Sequence, residues 1–346
     1  MRAASGGSWT AELAVASGED SRAALSPGLR EYFRRGADAG APGSPRFADS
    51  PHDGGRGASG QTTGVEGRGF RNHGTTAREG PAARVEGMDG YPRAAALSPR
   101  LQVIDSTGST NADLVAAVSH DPGAHPHLSV MLTHDQRSGR GRLDRSWTAP
   151  PGTALAVSVL VRVGDLPVSA RGWIPLIAGG AMVRAVRDQL RGTGHSAELK
   201  WPNDVLLDGG KLCGILAEVV PKHPEAVVIG AGINTTMSPA DLPVATATSF
   251  AAIGVTVDED RLLADWLTGL SGQLAALADA GGDAGASGVL EDVSALCATV
   301  GGAVRVSLPD GSTLEGTAVR IDAEGRLVVA APEEIPVSAG DVVHVR

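Results

Sequence analysis

Lysine is nearly missing from this chain: it supplies three of the 30 basic residues, and arginine the rest. Cysteine occurs twice, aromatic residues make up 3% of the sequence, and no apolar run approaches the roughly 18 residues that a membrane-spanning helix needs. Each scarcity excludes something. Cys213 and Cys297 sit in apolar stretches with neither a disulfide framework nor a metal-ligand spacing around them, which fits a reducing cytoplasm. The N-terminus lacks the charged-then-apolar pattern of a signal peptide, so export is not expected. A formal net charge of -9 argues against the broad basic face that nucleic acid requires, while leaving room for a local basic loop on a small anion. No tandem repeat is evident.

Against this background the placed lysines stand out. Lys200 and Lys211 frame the segment Lys200-Trp-Pro-Asn-Asp-Val-Leu-Leu-Asp-Gly-Gly-Lys211, where a compact point charge suits a phosphate or a reacting carboxylate better than a planar guanidinium does. Arginine clusters elsewhere. The stretch Gln136-Arg-Ser-Gly-Arg-Gly-Arg-Leu-Asp-Arg-Ser-Trp147 carries Arg137, Arg140, Arg142 and Arg145, with Gly139 and Gly141 permitting close backbone approach. It can fold over an anion, although a solvated loop has the same composition. It lacks the Gly-Lys-Ser/Thr of a Walker site. Trp147 in so polar a loop needs a surface to cover.

Residues 1–96 are rich in Gly, Ala, Ser and Arg without a helical or strand period, and are expected to form a disordered extension, with one short helix at Ser26–Arg35 and a folded start near Met88. Strands and helices then alternate. Strands are expected at 101–105, 129–134, 153–163, 197–201, 205–207, 212–220 and 226–233, and helices from Ser109, over 173–190 and over 258–280. The last helix should bury Leu262, Leu263, Trp266, Leu270, Leu274 and Leu277. The Asp208-Gly-Gly hairpin excludes a purely parallel sheet, so the expected class is α+β, a mixed sheet with covering helices over 97–287. Residues 288–346 read as a linker helix at 289–297 and a small barrel of about five strands.

Taken in order, Ser109-Thr-Asn111, Gln136 with Gly139-Arg-Gly-Arg142, Lys200-Trp-Pro-Asn-Asp204, Lys211-Leu-Cys-Gly-Ile-Leu-Ala-Glu218 and Gly230-Ala-Gly-Ile-Asn234 closely resemble the biotin protein ligases. The resemblance covers Leu101 to Asn234, and the C-terminal barrel fits as well. It implies a class II synthetase-like catalytic domain with an SH3-like barrel, and a reaction in which ATP and Mg²⁺ convert biotin to biotinyl-5'-AMP before transfer to a lysine of a biotin carboxyl carrier domain. It also implies roles. Ser109, Thr110, Asn111 and Gln136 would surround biotin; Gly139, Arg140, Gly141, Arg142 and Arg145 would close over the adenylate, with Trp147 on adenine. Lys211, beside Gly214, would bind the biotin carboxylate and α-phosphate as the main catalytic residue, and Lys200 would support it. Asp204 and Asn234 would meet the metal, with Gly232 beside the nucleotide. After Arg142 the chain has Leu143-Asp144-Arg145 where many members continue Arg-Gly-Arg. The first hundred residues show no recognition helix, so no specific DNA binding is expected. The sister lipoate ligases and a non-catalytic sensor are the alternatives, and the 153–163 strand is a candidate homodimer edge.

Overall fold

The computed structural model describes residues 90–142 and 145–345. The expectations for residues 1–89 (the extension, the Ser26–Arg35 helix, a start near Met88, the missing recognition helix) and for Leu143 and Asp144 lie outside the described residues. The expected end of the extension at Ala96 is too late. Helix α1, Pro92–Leu97, opens with proline at its first turn, where no N–H is needed, and Tyr91 and Ala94 are buried. Asp260 accepts from the Arg93 and Ala94 backbone amides, which fastens α1 to the start of a long helix described below.

A seven-stranded mixed sheet forms the larger body, in the order β1, β2, β5, β9, β8, β7, β6. These are β1 Leu101–Val103, β2 Val130–Thr133, β5 Ala154–Arg162, β6 Ala197–Lys200, β7 Asp204–Leu207, β8 Gly210–Val220 and β9 His223–Asn234. β1 pairs with β2 in parallel and every other pair is antiparallel. A further short pair, β3 Gly139–Arg140 and β4 Ser146–Trp147, shapes the arginine loop. The strand proposed as a homodimer edge, β5, lies between β2 and β9 and so has no free edge. Its continuous apolar run marks a strand buried on both faces, which is why it could not be told from an edge by sequence.

Alternation along the strands assigns the two faces. Leu155, Val157, Val159 and Val161 of β5 and Val227, Ile229, Ala231 and Ile233 of β9 join the main core with α3, Trp173–Gln189, and α4, Glu259–Asp279. Asp258 caps α4 by accepting from the Arg261 amide, and the six expected apolar residues of α4 are buried. On the opposite face α2, Thr110–His120, places Leu114 and Val118 over Leu160, Ala226 and Val228.

After α5, Val289–Ser294, the C-terminal unit is a five-stranded antiparallel sheet ordered β13, β12, β11, β10, β14. It comprises β10 Ala303–Ser307, β11 Thr313–Ile321, β12 Leu327–Ala331, β13 Glu333–Val337 and β14 Asp341–His344. β13 escaped the sequence reading because Glu333-Glu-Ile-Pro-Val has Pro336 and almost no buried residue, as an edge strand permits. Two buried indoles dock this unit: Trp173 donates to the Ala323 carbonyl at 2.8 Å and Trp201 to that of Gly325 at 3.1 Å. Among the described residues no helix is long and apolar enough to cross a membrane.

Candidate active site

On the α2 face the strands change from large to small residues along their length. Leu160 pairs with Val228, Ser158 with Gly230, and Ala156 with Gly232. On β8 the partners of Gly230 and Gly232 are Leu216 and Gly214, and Gly214 in turn faces Asp204 on β7. The result is a floor of mostly small residues, with Leu216 the exception, beyond the end of the α2 packing. Above it opens a cleft of about 160 Å³. Space here is used closely: a Cβ on Gly230 would meet Asn111 Oδ1 at 2.4 Å, and one on Gly232 the Trp147 ring at 2.7 Å.

One end of the cleft is neutral and polar. Ser109 is the N-cap of α2, so its side chain faces the Ala112 amide at 3.4 Å, and Thr110 follows at the first helical turn. The Thr110 amide donates to Gln136 Oε1 at 2.8 Å, and the Thr110 hydroxyl oxygen lies 3.1 Å from the same atom. Asn111 is committed to the protein on both sides of its amide: Nδ2 donates to Glu218 Oε2 at 2.8 Å, and Oδ1 accepts from Ser158 at 2.6 Å.

The other end is cationic, and each cation has a protein acceptor. Arg140 meets Glu218 at 3.0 Å, Arg142 donates to Asn203 Oδ1 at 3.1 Å, and Lys211 meets Asp204 Oδ1 at 2.7 Å. Arg145 reaches across to the C-terminal unit and donates to both oxygens of Asp341, at 3.1 and 2.6 Å. Hydrogen bonding from Arg145 holds the Asp341 carboxyl below the usual carboxylate range, with Lys200 and Arg142 adding to the effect.

Lys211 reaches this face through a β-bulge. Cys213 pairs with Val205, yet Lys211 pairs with Leu206, so Leu212 is an extra residue in the ladder. An unbroken ladder would set Lys211 opposite Leu207, on the core face. The backbone of Lys211 is then pinned from outside the sheet, its N–H donating to Thr246 at 2.7 Å and its carbonyl accepting from Thr248 at 2.9 Å.

The structure brings together, around one cleft, Ser109, Thr110, Asn111, Gln136, Arg140, Gly141, Arg142, Arg145, Trp147, Asp204, Lys211, Gly214 and Gly232. Gly139, Lys200 and Asn234 are not in its wall. Gly139 is a packing residue, where a Cβ would meet Gln136 Nε2 at 2.4 Å. Lys200 lies at the hairpin end toward Asp341 and His344, whose imidazole is held below its ordinary range by burial and then by the Lys200 charge. Asn234 is buried and donates its Nδ2 to the Thr248 carbonyl at 2.9 Å. Sequence reasoning missed Asn203, Ser158, Glu218 and Asp341. Asn203 and Glu218 stood inside the quoted motifs, whereas Asp341 had no local signal because its neighbours in the cleft are some two hundred residues away.

Among the described residues no group of three or more His, Cys, Asp or Glu side chains could hold a metal ion. The cleft offers Asp204, with one oxygen on Lys211. Such a donor set fits Mg²⁺ carried in on phosphate oxygens and touched by a single carboxylate, and does not fit a cation caged by protein alone.

The profile of the Biotin/lipoate A/B protein ligase family matches residues 103–234, and that of the biotin protein ligase C-terminal domain matches residues 299–345. The chain is 40% identical over 249 residues to the biotin--[acetyl-CoA-carboxylase] ligase of Mycobacterium tuberculosis, a match covering 71% of this chain and 90% of that one. The chain belongs to the biotin protein ligase family. The Escherichia coli bifunctional ligase/repressor BirA is 35% identical over 143 residues, 40% of each chain. In fold, this family member resembles the Aquifex aeolicus biotin protein ligase solved in complex with biotin and ATP, with a TM-score of 0.58, 19% identity, and coverage of 72% of this chain and 99% of that one.

Proposed function

We propose that this chain is a biotin protein ligase that adenylates biotin and delivers it to a lysine of a biotin carboxyl carrier domain. The observation that carries the reading is the two-ended cleft, with neutral hydrogen-bonding groups at one end and Arg140, Arg142, Arg145 and Lys211 at the other. A biotin carboxylate oxygen attacks the α-phosphorus of ATP, a P–O bond forms, and pyrophosphate leaves. The unprotonated lysine amine of the carrier then attacks the acyl carbon, AMP departs with the bonding pair, and the amine proton passes to solvent or AMP.

Two anions must meet in the first step. Lys211 lowers their repulsion and stabilises the charge that develops on the α-phosphate oxygens, while Asp204 holds its ammonium in place. Arg142 and Arg145 bind phosphate oxygens, and the loop that carries them keeps water from the mixed anhydride. Ser109, Thr110 and Gln136 supply donors and acceptors to the ureido ring. Asn111 acts one step back, since its amide is spent on Glu218 and Ser158. Trp147 offers a ring face for the adenine. Mg²⁺ on ATP, touched by Asp204, would neutralise phosphate charge and ease pyrophosphate departure. Asn234 is not assigned to it, and Lys200 is assigned a supporting role at the hairpin end. The enzyme acts in the cytoplasm, with no specific DNA target.

The test is pyrophosphate release by the full chain with ATP and Mg²⁺, comparing biotin, lipoate and no acid, in wild type and Lys211→Ala. Release with biotin alone, lost in the variant, is expected. Release with lipoate would move the chain to the sister activity, and tight biotin binding without release would make it a sensor.

A further inference from the structure

We infer that Glu218 is a positioning residue that couples the neutral end of the cleft to Arg140. Glu218 stands on β8 next to the small-residue floor and is 8% exposed. Its Oε2 accepts from Asn111 Nδ2 at 2.8 Å, and Arg140 approaches Oε1 at 3.0 Å and Oε2 at 3.2 Å. Asn111 is fixed from behind by Ser158 Oγ, which lies 2.6 Å from Asn111 Oδ1 and 2.8 Å from Thr110 Oγ1. The Thr110 amide donates to Gln136 Oε1 at 2.8 Å, which leaves its one hydroxyl proton for Ser158 Oγ at 2.8 Å. Gln136 and Arg140 belong to the same loop. The polar chain Gln136, Thr110, Ser158, Asn111, Glu218, Arg140 therefore leaves the loop, runs through the wall of the cleft, and returns to the loop four residues on.

The energetics give this ring a direction. A carboxylate so far out of water is costly unless it is paired, and Glu218 has one cation and one neutral amide as partners. Withdrawal of Arg140 would leave the charge with Asn111 alone, so Glu218 keeps Arg140 at the cleft. Guanidinium has five N–H donors, and those not given to Glu218 are available to a phosphate or carboxylate. A ligand that draws on Thr110 or Gln136 shifts the same chain from its other end. Coupling of this kind is reciprocal in binding free energy. The inference rests on the ligase reading of the cleft, and it adds that Glu218 acts through Arg140 without touching substrate.

The experiment is a double-variant cycle on the full chain, reading the KM for ATP in biotin-dependent pyrophosphate release. Glu218→Gln keeps an acceptor oxygen for Asn111 and removes the charge that holds Arg140. Glu218→Gln and Arg140→Ala should each raise the KM about tenfold, the scale of one charge-assisted hydrogen bond. The double variant should be no worse than the worse single one. Multiplying effects, with wild type active, overturn the positioning role alone, whereas a wild type that releases no pyrophosphate overturns the ligase reading. Arg140→Gln changes only a partly exposed loop side chain and covers the case in which Glu218→Gln does not fold. Coupling requires it to weaken biotin binding several-fold without ATP, measured by calorimetry, and unchanged affinity overturns the inference.

Discussion

Lys211 and Asp204 face each other at 2.7 Å because one extra residue, Leu212, interrupts the β7–β8 ladder and turns the lysine from the core face to the cleft face. The hairpin that carries them turns at Asp208 and Gly209, both with positive φ, the geometry that an Asp-Gly pair favours. Placement of Lys211 in the cleft is thus a matter of register. Bulges that re-aim a side chain recur next to active sites for this reason.

Removing the ammonium should abolish chemistry and spare the fold. Lys211→Ala is expected to lower biotin-dependent pyrophosphate release by about 100-fold or more, the scale of a lost transition-state contact. The lysine side chain is 45% exposed, so the change in stability should stay within about 1 kcal/mol. Lys211→Arg should not restore activity, since a planar fork cannot replace a point charge on this stem. Initial rates beside a urea melt check both halves.

The sequence reading reached the mixed sheet, the long α4 stripe and most of the cleft, because those depend on local pattern or on motif order. Asp208-Gly-Gly disclosed the hairpin, and apolar spacing in 258–280 disclosed α4. What stayed hidden depended on register or on distant contacts. Nothing local marks Leu212 as a bulge, and Lys200 and Lys211 read as facing one cleft although only Lys211 lines it. Asn234 is expected at the nucleotide or its metal from its place after Gly230-Ala-Gly232, whereas the seat of its Nδ2 on the Thr248 carbonyl follows only from the course of 246–248. Tyr91 and α1 were read as extension because their partner face, the start of α4, is more than 160 residues away.

That same junction should make stability depend on pH from both sides. Glu259 accepts from Tyr91 at 2.8 Å and meets His134 at 2.7 Å. The hydrogen bond to Glu259 raises the His134 pKa, with burial opposing. Burial pushes the Glu259 carboxyl up, but His134 and Tyr91 outweigh it and leave it below its ordinary range. The raised histidine contributes stability that is complete below its unfolded pKa and is lost as pH rises through the folded value. The depressed carboxyl contributes stability present above its unfolded pKa and lost as pH falls through the folded value. Melting temperature should therefore peak between the two and decline on each side. His134→Gln should flatten the alkaline limb by about 2–4 °C at most, given the partial exposure of the pair. An unchanged alkaline limb in that variant would refute the assignment.

The bridge from Arg145 to the C-terminal unit sets a resident carboxylate against the incoming phosphates. Asp341→Asn frees Arg145, and the KM for ATP should fall a few-fold. Stability should change by no more than about 1 kcal/mol, since the side chains are 61% and 36% exposed. A rise in KM would mean instead that Asp341 orients the arginine for its ligand. Raising the salt concentration should shrink the difference between variant and wild type, because screening weakens the resident pair.

Gly232 tests whether the floor of the cleft was kept clear for Trp147. It lies in the middle of the sheet between β5 and β8, where alanine would ordinarily stabilise by about 0.4–1 kcal/mol through a less flexible unfolded chain. Here the added Cβ would lie 2.7 Å from Trp147 Cε2 and 2.9 Å from Cζ2, so the ring must leave its seat. Trp147 is only half-buried, so the ring can yield at modest structural cost, and in yielding it leaves its place in the cleft wall. Gly232→Ala should therefore lose about tenfold or more in kcat/KM for ATP while melting within a few degrees of wild type, with a shift in tryptophan emission. In a Trp147→Ala background, which is itself impaired, the same alanine should cost almost nothing further, because the two changes act on one contact. Equal losses in both backgrounds would show that Gly232 serves the ligand directly and not through the indole.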